Sequence, residues 1–181
     1  MKPIWINDRV SLKVIGETNA KEVLDFVIRN QGFLKPWEVE RNADYYSIEY
    51  HQTLLREEFS IIQQGNLFKV WLFKEDTIIG SIALSNIVRG AFQSCHLGYR
   101  IDEREQGKGI MTDALRAVID VAFQQLQLHR IEANIMPRNK ASIRVVEKLG
   151  FEHEGLARKY LKIKGVWEDH IHMVLLNEEM H

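Results

Sequence analysis

The sequence predicts an α/β fold: a mixed, mostly antiparallel central sheet flanked by helices, in the order β-α-α-β-β-β-α-β-α-β-β. Three observations carry this. Apolar runs at 67–73, 77–87 and 94–101 lie between turn signals in the middle of the chain, and two more close it. Segments with apolar residues at helical spacing separate these groups. Strands and helices interleaved in this way demand a sheet covered on both faces. A chain of 181 residues is long enough for one domain with a proper core and short for two, so residues 1–181 are read as a single domain.

The elements follow in order. "RVSLKVI" alternates Val10, Leu12 and Val14 with Ser11 and Lys13, the period of a half-buried strand. Asn19 then caps a helix carrying Val23, Leu24, Phe26 and Val27, with Glu22 completing a capping-box-like start and Asn30 and Gly32 ending it. "QGFLKPWEVERNADYY" reads as an aromatic loop, because Pro36 disfavours helix before it. A second helix, through Ile48, Leu54, Leu55, Phe59 and Ile62, runs to Gly65. "LFKVWLF" and "TIIGSIALSNI" form a hairpin, and "SCHLGYRI" adds a third antiparallel strand. The next helix places Met111, Ala114, Leu115, Val118, Ile119, Ala122 and Leu126 on one stripe. "RIEANIM" is a strand, Asn139 opens a shorter helix through Ile143, Val146 and Leu149, and "LARKYLKI" and "DHIHMVLL" close the chain around Lys164-Gly165.

Composition narrows the function classes. The formal net charge is −1 with acids and bases interspersed, so no basic nucleic-acid footprint or polybasic membrane patch is present. No apolar tract is long enough to span a bilayer, and the first residues lack the apolar core of a secretory signal. Cys95 is the one cysteine, which excludes an internal disulfide and a zinc knuckle. These features point to a cytoplasmic protein.

The chemistry is concentrated in "EREQGKGIMTDAL". Gly107 and Gly109 stand between a strand and a helix, where each glycine costs a helix about 1 kcal/mol relative to alanine. A helix start leaves N–H groups unpaired and carries roughly half a positive charge. Two residues without Cβ atoms let a ligand reach those groups, and Arg104 and Lys108 add charge. This suits a phosphate or pyrophosphate; a plain turn explains the same glycines. The dinucleotide fingerprint fails, since Thr112 stands where its third glycine belongs, and the Walker pattern fails for want of Gly-Lys-Ser/Thr.

A second motif, "NKASIRVVEKLGF", begins at Asn139. With it, the sequence resembles the GNAT family of N-acetyltransferases, whose acetyl-CoA loop reads Arg/Gln-x-x-Gly-x-Gly/Ala, matched by Arg104, Gly107 and Gly109. Asn139-x-x-Ser142, the following "VEKLGF" and the late "KGVWEDHIHMVLL" are similar to its ribosomal-protein N-terminal acetyltransferase branch. The resemblance covers nearly the whole chain and the element order.

It implies direct acetyl transfer from acetyl-CoA to an amine, without a metal. The pyrophosphate would meet main-chain N–H groups along Arg104, Glu105, Gln106, Gly107, Lys108, Gly109, Ile110 and Met111. The thioester oxygen and pantetheine amides would meet the strand at Tyr99, Arg100 and Ile101, where it splays from the next strand. Gly98 fits a bulge or a close approach there. The resemblance places Asn139 against the pantetheine arm and Ser142 as the group that protonates the departing sulfur; without it, the two read as a helix cap and a first-turn serine. Val146 stands where many family members carry a tyrosine, and Leu161 where the branch can carry a glutamate base. Glu103, Glu105, His96 and Asp169 are the remaining carboxylates and imidazole considered as base, and none is assigned. His170 and His172 share a strand face, too little for a metal site.

The acceptor is expected opposite the cofactor, between the loop bearing Phe33, Trp37, Tyr45 and Tyr46 and the last hairpin. The resemblance favours a protein N-terminal α-amine, as on a ribosomal protein. A small amine such as a polyamine, aminoglycoside or amino acid is the alternative, and a non-catalytic CoA-binding module is a third reading. Family members are often dimers, so a homodimer is expected.

Overall fold

The computed structural model describes residues 1–180. Eight strands form one continuous sheet: β1 (Ile4–Trp5), β2 (Val10–Lys13), β3 (Phe68–Lys74), β4 (Thr77–Val88), β5 (Ser94–Ile101), β6 (Arg130–Ile135), β7 (Glu152–Ile163) and β8 (Val166–Leu176). Their order is β1-β2-β3-β4-β5-β6-β8-β7. Every neighbouring pair is antiparallel except β5 and β6. Helices α1 (Ala20–Arg29), α2 (Gln31–Leu34), α3 (Ile48–Gln63), α4 (Ile110–Asp120) and α5 (Lys140–Glu147) complete the molecule.

Strand alternation sorts the side chains into two cores. Val70, Leu72, Ile82, Leu84 and Leu97 face α4 and α5, meeting Met111, Ala114, Leu115, Val118, Ile143 and Val146. Trp71, Phe73 and Ile78 face the other way, against Val23, Phe26 and Val27 of α1 and Leu55 of α3. Fully burying one such side chain stabilises the fold by about 1.5–3 kcal/mol. Val146 is wholly buried, which leaves no role for this position in the site.

The expected elements are present, with local differences. Asn19 makes no side-chain cap; a single 3₁₀ turn over Glu17–Asn19 leads into α1 and holds Asn19 outside the extended cap conformation. The aromatic loop contains α2 and a 3₁₀ turn at Ala43–Tyr46, capped by Asn42, because Pro36 bars helix only just ahead of it. After Asp120 the helix widens into a π turn at Val121–Gln125, so Ala122 is buried while Leu126 is only partly so. Gly98 pairs regularly with Ala83 and a Cβ there would meet nothing within 4 Å; the bulge lies instead between Ser85 and Val88. The close approach belongs to Gly80, whose Cβ would fall 2.5 Å from the Arg100 carbonyl oxygen. Among the described residues no helix is long and apolar enough to cross a membrane.

Candidate active site

The site begins where the sheet opens. β5 and β6 pair over three residues only, ending at His96 opposite Glu132. Beyond that point β5 continues to Ile101 bonded to β4 alone, and the two strands part as a fork. The Asp102 N–H donates to the Ile79 carbonyl, so alternation along the ladder turns the backbone groups of Tyr99 and Ile101 into the fork. Arg100, expected with them, has its carbonyl packed on Gly80 and its side chain on the opposite face.

The glycine turn lies at the α4 end of the fork. Gly107 and Gly109 adopt φ of 71° and 77°, the left-handed region that favours glycine. A Cβ at either would point into open space. The N–H groups of residues 107–112 find no acceptor among the described residues, and the first helical bond is Asp113 N–H to the Gly109 carbonyl. The turn reading holds, since the backbone here needs glycine, and the unpaired donors leave this helix start open to an anion.

The flanking side chains hold this turn in shape. Asp102 is buried and accepts from Arg29 at 2.7 Å, Asn30 at 3.3 Å and Arg104 at 3.1 and 3.2 Å. Burial alone would raise its carboxyl, but these donors hold it well below the usual carboxylate range. Glu105 pairs with Lys74 at 2.9 Å and Lys108 at 3.1 Å. The charges of Arg104 and Lys108 are thus largely matched inside the protein, and the unpaired donors at the turn are main-chain ones.

On the α5 side, Asn139 Oδ1 caps the helix through the Ser142 N–H at 3.2 Å. The Ser142 hydroxyl points the other way, 2.6 Å from the Tyr99 hydroxyl, which also lies 2.9 Å from the Ser142 carbonyl oxygen. Burial pushes the Tyr99 phenol up to about 12, opposed by the Ser142 bond. A phenol thus stands beside Ser142, supplied by β5 rather than by position 146. Sequence spacing could not pair Tyr99 with Ser142, because only the fork brings their elements together.

Across the sheet, a cleft of about 350 Å³ reaches Gly98 and Tyr99 between Glu38, Tyr45, Glu58 and Lys69. Arg100 forms its floor, donating to Ser81 at 3.2 Å, Glu38 at 3.1 Å and the Tyr45 hydroxyl at 3.2 Å. Its guanidinium stands 5.4 Å from the centres of Phe26 and Trp71. Glu58 pairs with Lys69 at 2.6 Å. Tyr45 is buried against Tyr46, Tyr50 and His51, so it is both packing and cleft wall. Trp37 lies under Arg138.

The remaining base candidates are placed apart. Asp169 accepts from the Lys159 N–H, bracing the irregular β7–β8 hairpin. Glu103 is exposed, Glu105 is paired, and Leu161 lies exposed on β7. His96 sits at the fork's closed end, 3.1 Å from Asn86 and 3.9 Å from Glu132.

An eight-stranded, mostly antiparallel sheet with one parted parallel pair is the fold of the GNAT acetyltransferases. The family model of the acetyltransferase (GNAT) domain matches residues 12–152. The chain belongs to the GNAT acetyltransferase family and is an acetyl-CoA-dependent N-acetyltransferase. It is 43% identical over 164 residues to "Probable N-acetyltransferase YjcK" of Bacillus subtilis (strain 168), spanning 90% of this chain and 91% of that one. It is 40% identical over 166 residues to [ribosomal protein uS5]-alanine N-acetyltransferase of Escherichia coli (strain K12), spanning 91% and 86%. Among solved structures, the ribosomal-protein-S5-alanine acetyltransferase of Vibrio fischeri superposes with a TM-score of 0.95 at 33% identity over the whole of both chains. Mycobacterium smegmatis RimJ in complex with CoA-disulfide gives 0.89 at 27%, covering 99% and 92%.

Proposed function

We propose that this chain acetylates the N-terminal α-amine of a ribosomal protein in the cytoplasm. The observation that carries the reading is the fork, which joins a main-chain anion cradle to a cleft on the opposite face. Support for the acceptor comes from the Escherichia coli relative named for uS5 alanine. The polyamine alternative needs uncompensated carboxylates, yet Glu38 and Glu58 of the cleft are each paired with a cation. An extended N-terminal peptide, with one amine to deliver, makes no such demand.

In this reading the amine lone pair attacks the thioester carbon. The N–H groups of Tyr99 and Ile101 meet the oxygen as it gains charge, a contribution of about 3 kcal/mol per donor in comparable sites. The C–S bond breaks, and Ser142 gives its hydroxyl proton to the thiolate and takes one from the acylated nitrogen in its place, while Tyr99 hydrogen-bonds the serine oxygen. Asn139, its Oδ1 engaged in capping, offers its amide N–H to the pantetheine arm.

The test is CoA release with a panel of N-terminal peptides and small amines, the products being read by mass spectrometry. Peptides beginning with alanine or serine should release CoA and gain one acetyl group at the α-amine. Turnover of small amines alone would overturn the peptide reading, and acetyl-CoA binding without any release would overturn the enzymatic one. Cys95 does not interfere with thiol detection, since it is buried and burial pushes its thiol up to about 12. The proposal extends to one domain over 1–181, supported by a sheet unbroken from Ile4 to Leu176. It includes a homodimer, supported by exposed Leu161, Val166 and Trp167 on the last hairpin and checked by sedimentation velocity.

A further inference from the structure

A second set of polar side chains, unused by the steps above, lies on the cleft face just past the fork. β6 presents Arg130, Glu132 and Asn134 there, because Ile131, Ala133 and Ile135 are buried in the opposite core. Asn134 is the second residue beyond the end of the β5–β6 pairing, and His172 stands opposite it in the β6–β8 ladder. His172 Nδ1 lies 2.8 Å from Glu132 Oε1. His96 Nε2 is 3.9 Å from the same oxygen. Tyr160 of β7 packs its ring 5.3 Å from His172 and 5.5 Å from His170, and its hydroxyl accepts from Asn134 Nδ2 at 3.4 Å. Arg130 donates to Glu132 at 2.8 Å and also to Glu154.

Two features of this set bear on proton transfer. The Asn134 Oδ1 is buried and has no donor among the described residues. An orphaned buried acceptor beside an open strand edge suits a ligand that brings an N–H group. Glu132, held ionised by Arg130 and His172 against its burial, can only accept. Nδ1 of His172 therefore carries the hydrogen, and Nε2 presents its lone pair.

We propose that His172, oriented by Glu132, takes the proton of the incoming amine, and that Asn134 Oδ1 receives an N–H of that amine at the fork. The inference rests on the acetyl-transfer reading above. The acceptor arrives as R–NH3+, and Nε2 of His172 removes one proton. The freed lone pair forms the N–C bond, the C–S bond breaks, and Ser142 protonates the sulfur. The second proton lost from nitrogen replaces the one given to sulfur. The products are R–NH–CO–CH3, CoA thiol and one proton on His172. The charged and titratable groups facing this imidazole are Glu132 and Arg130 of β6, His96 of β5, Tyr160 and Glu154 of β7 and His170 of its own strand.

The experiment is the pH profile of kcat, with saturating acetyl-CoA and an N-terminal alanine peptide, for wild type, His172→Gln, Glu132→Gln and Asn134→Leu. His172→Gln should lower kcat about 100-fold and abolish the acid limb of the profile. Glu132→Gln should also lower kcat, by less than His172→Gln, since the imidazole keeps its accepting nitrogen but loses the carboxylate that orients it. Asn134→Leu should raise KM for the peptide more than it lowers kcat. Unchanged acetyl-CoA affinity by calorimetry shows that each variant is folded. If His172→Gln does not fold, the kcat loss in Glu132→Gln carries the test. Wild-type kcat in these variants would overturn the assignment while leaving the transfer reading intact. A wild-type protein that releases no CoA with any acceptor would overturn both.

Discussion

Replacing Gly107 by valine separates a backbone requirement from a binding one. At φ of 71° a non-glycine residue is strained by about 1–2 kcal/mol. No atom lies within 4 Å of the added Cβ, so that atom brings backbone strain and no clash to the free protein. In a chain of this size each kcal/mol lowers Tm by about 2–4 °C. Binding should suffer more, because the new side chain stands before the donors of residues 107–112. Losing two hydrogen bonds to a charged ligand costs about 3–6 kcal/mol, at least a 100-fold loss of acetyl-CoA affinity. Calorimetry reads the affinity directly. In a thermal-shift assay at 100 times the wild-type Kd, the wild type gains roughly 2.7 kcal/mol from ligand and the variant should gain almost nothing. Gly65→Val is the matched control: its φ is 77°, its Cβ also meets nothing, and it lies at the end of α3, away from the cradle. It should lose the same stability and no affinity. Wild-type affinity in Gly107→Val, or equal losses of affinity in both variants, would refute the cradle.

Other outcomes follow from the same geometry. Ser142→Ala should lower kcat by about 10–100-fold with little change in acetyl-CoA KM, and Tyr99→Phe by less, since it removes only the partner of the acid; an unchanged kcat in Ser142→Ala would exclude the acid role. Asp102→Ala strands Arg29 and frees the glycine turn, so chemical denaturation should show a loss of about 3–5 kcal/mol. The depressed Asp102 carboxyl contributes stability above its unfolded value of 3.8, lost as pH falls further, and acid unfolding of Asp102→Asn should show a weaker pH dependence there. His51 is buried with neither ring nitrogen bonded among the described residues, and burial lowers its pKa. It therefore favours the folded state above its unfolded value of 6.5 and opposes it as pH falls from there, a slope that His51→Phe should remove.

Much of this protein is legible along the chain, because the signals are local. The 94–101 run matches β5 residue for residue, and Asn139 caps α5 through Ser142 as its spacing suggests. Gly107 and Gly109 could be read as a ligand loop because helix starts and glycine conformations depend on a few consecutive residues. Where local reading failed, tertiary context intervened. Asn19 keeps the N-cap position but makes no side-chain bond after the 3₁₀ turn, and the π turn shifts the end of the α4 stripe.

The sequence by itself determined the family and the element order save the short β1 and α2, since motifs and periodicity survive in one dimension. Only the tertiary structure decided which side chains stand beside one another. Tyr99 meets Ser142 across 43 residues, and His172 meets Glu132 across 40. Arg100 parts from Tyr99 because strand pleating sends its side chain to the opposite face. Such contacts depend on strand pairing and on where β5 and β6 part, and both are set by the packing of distant segments.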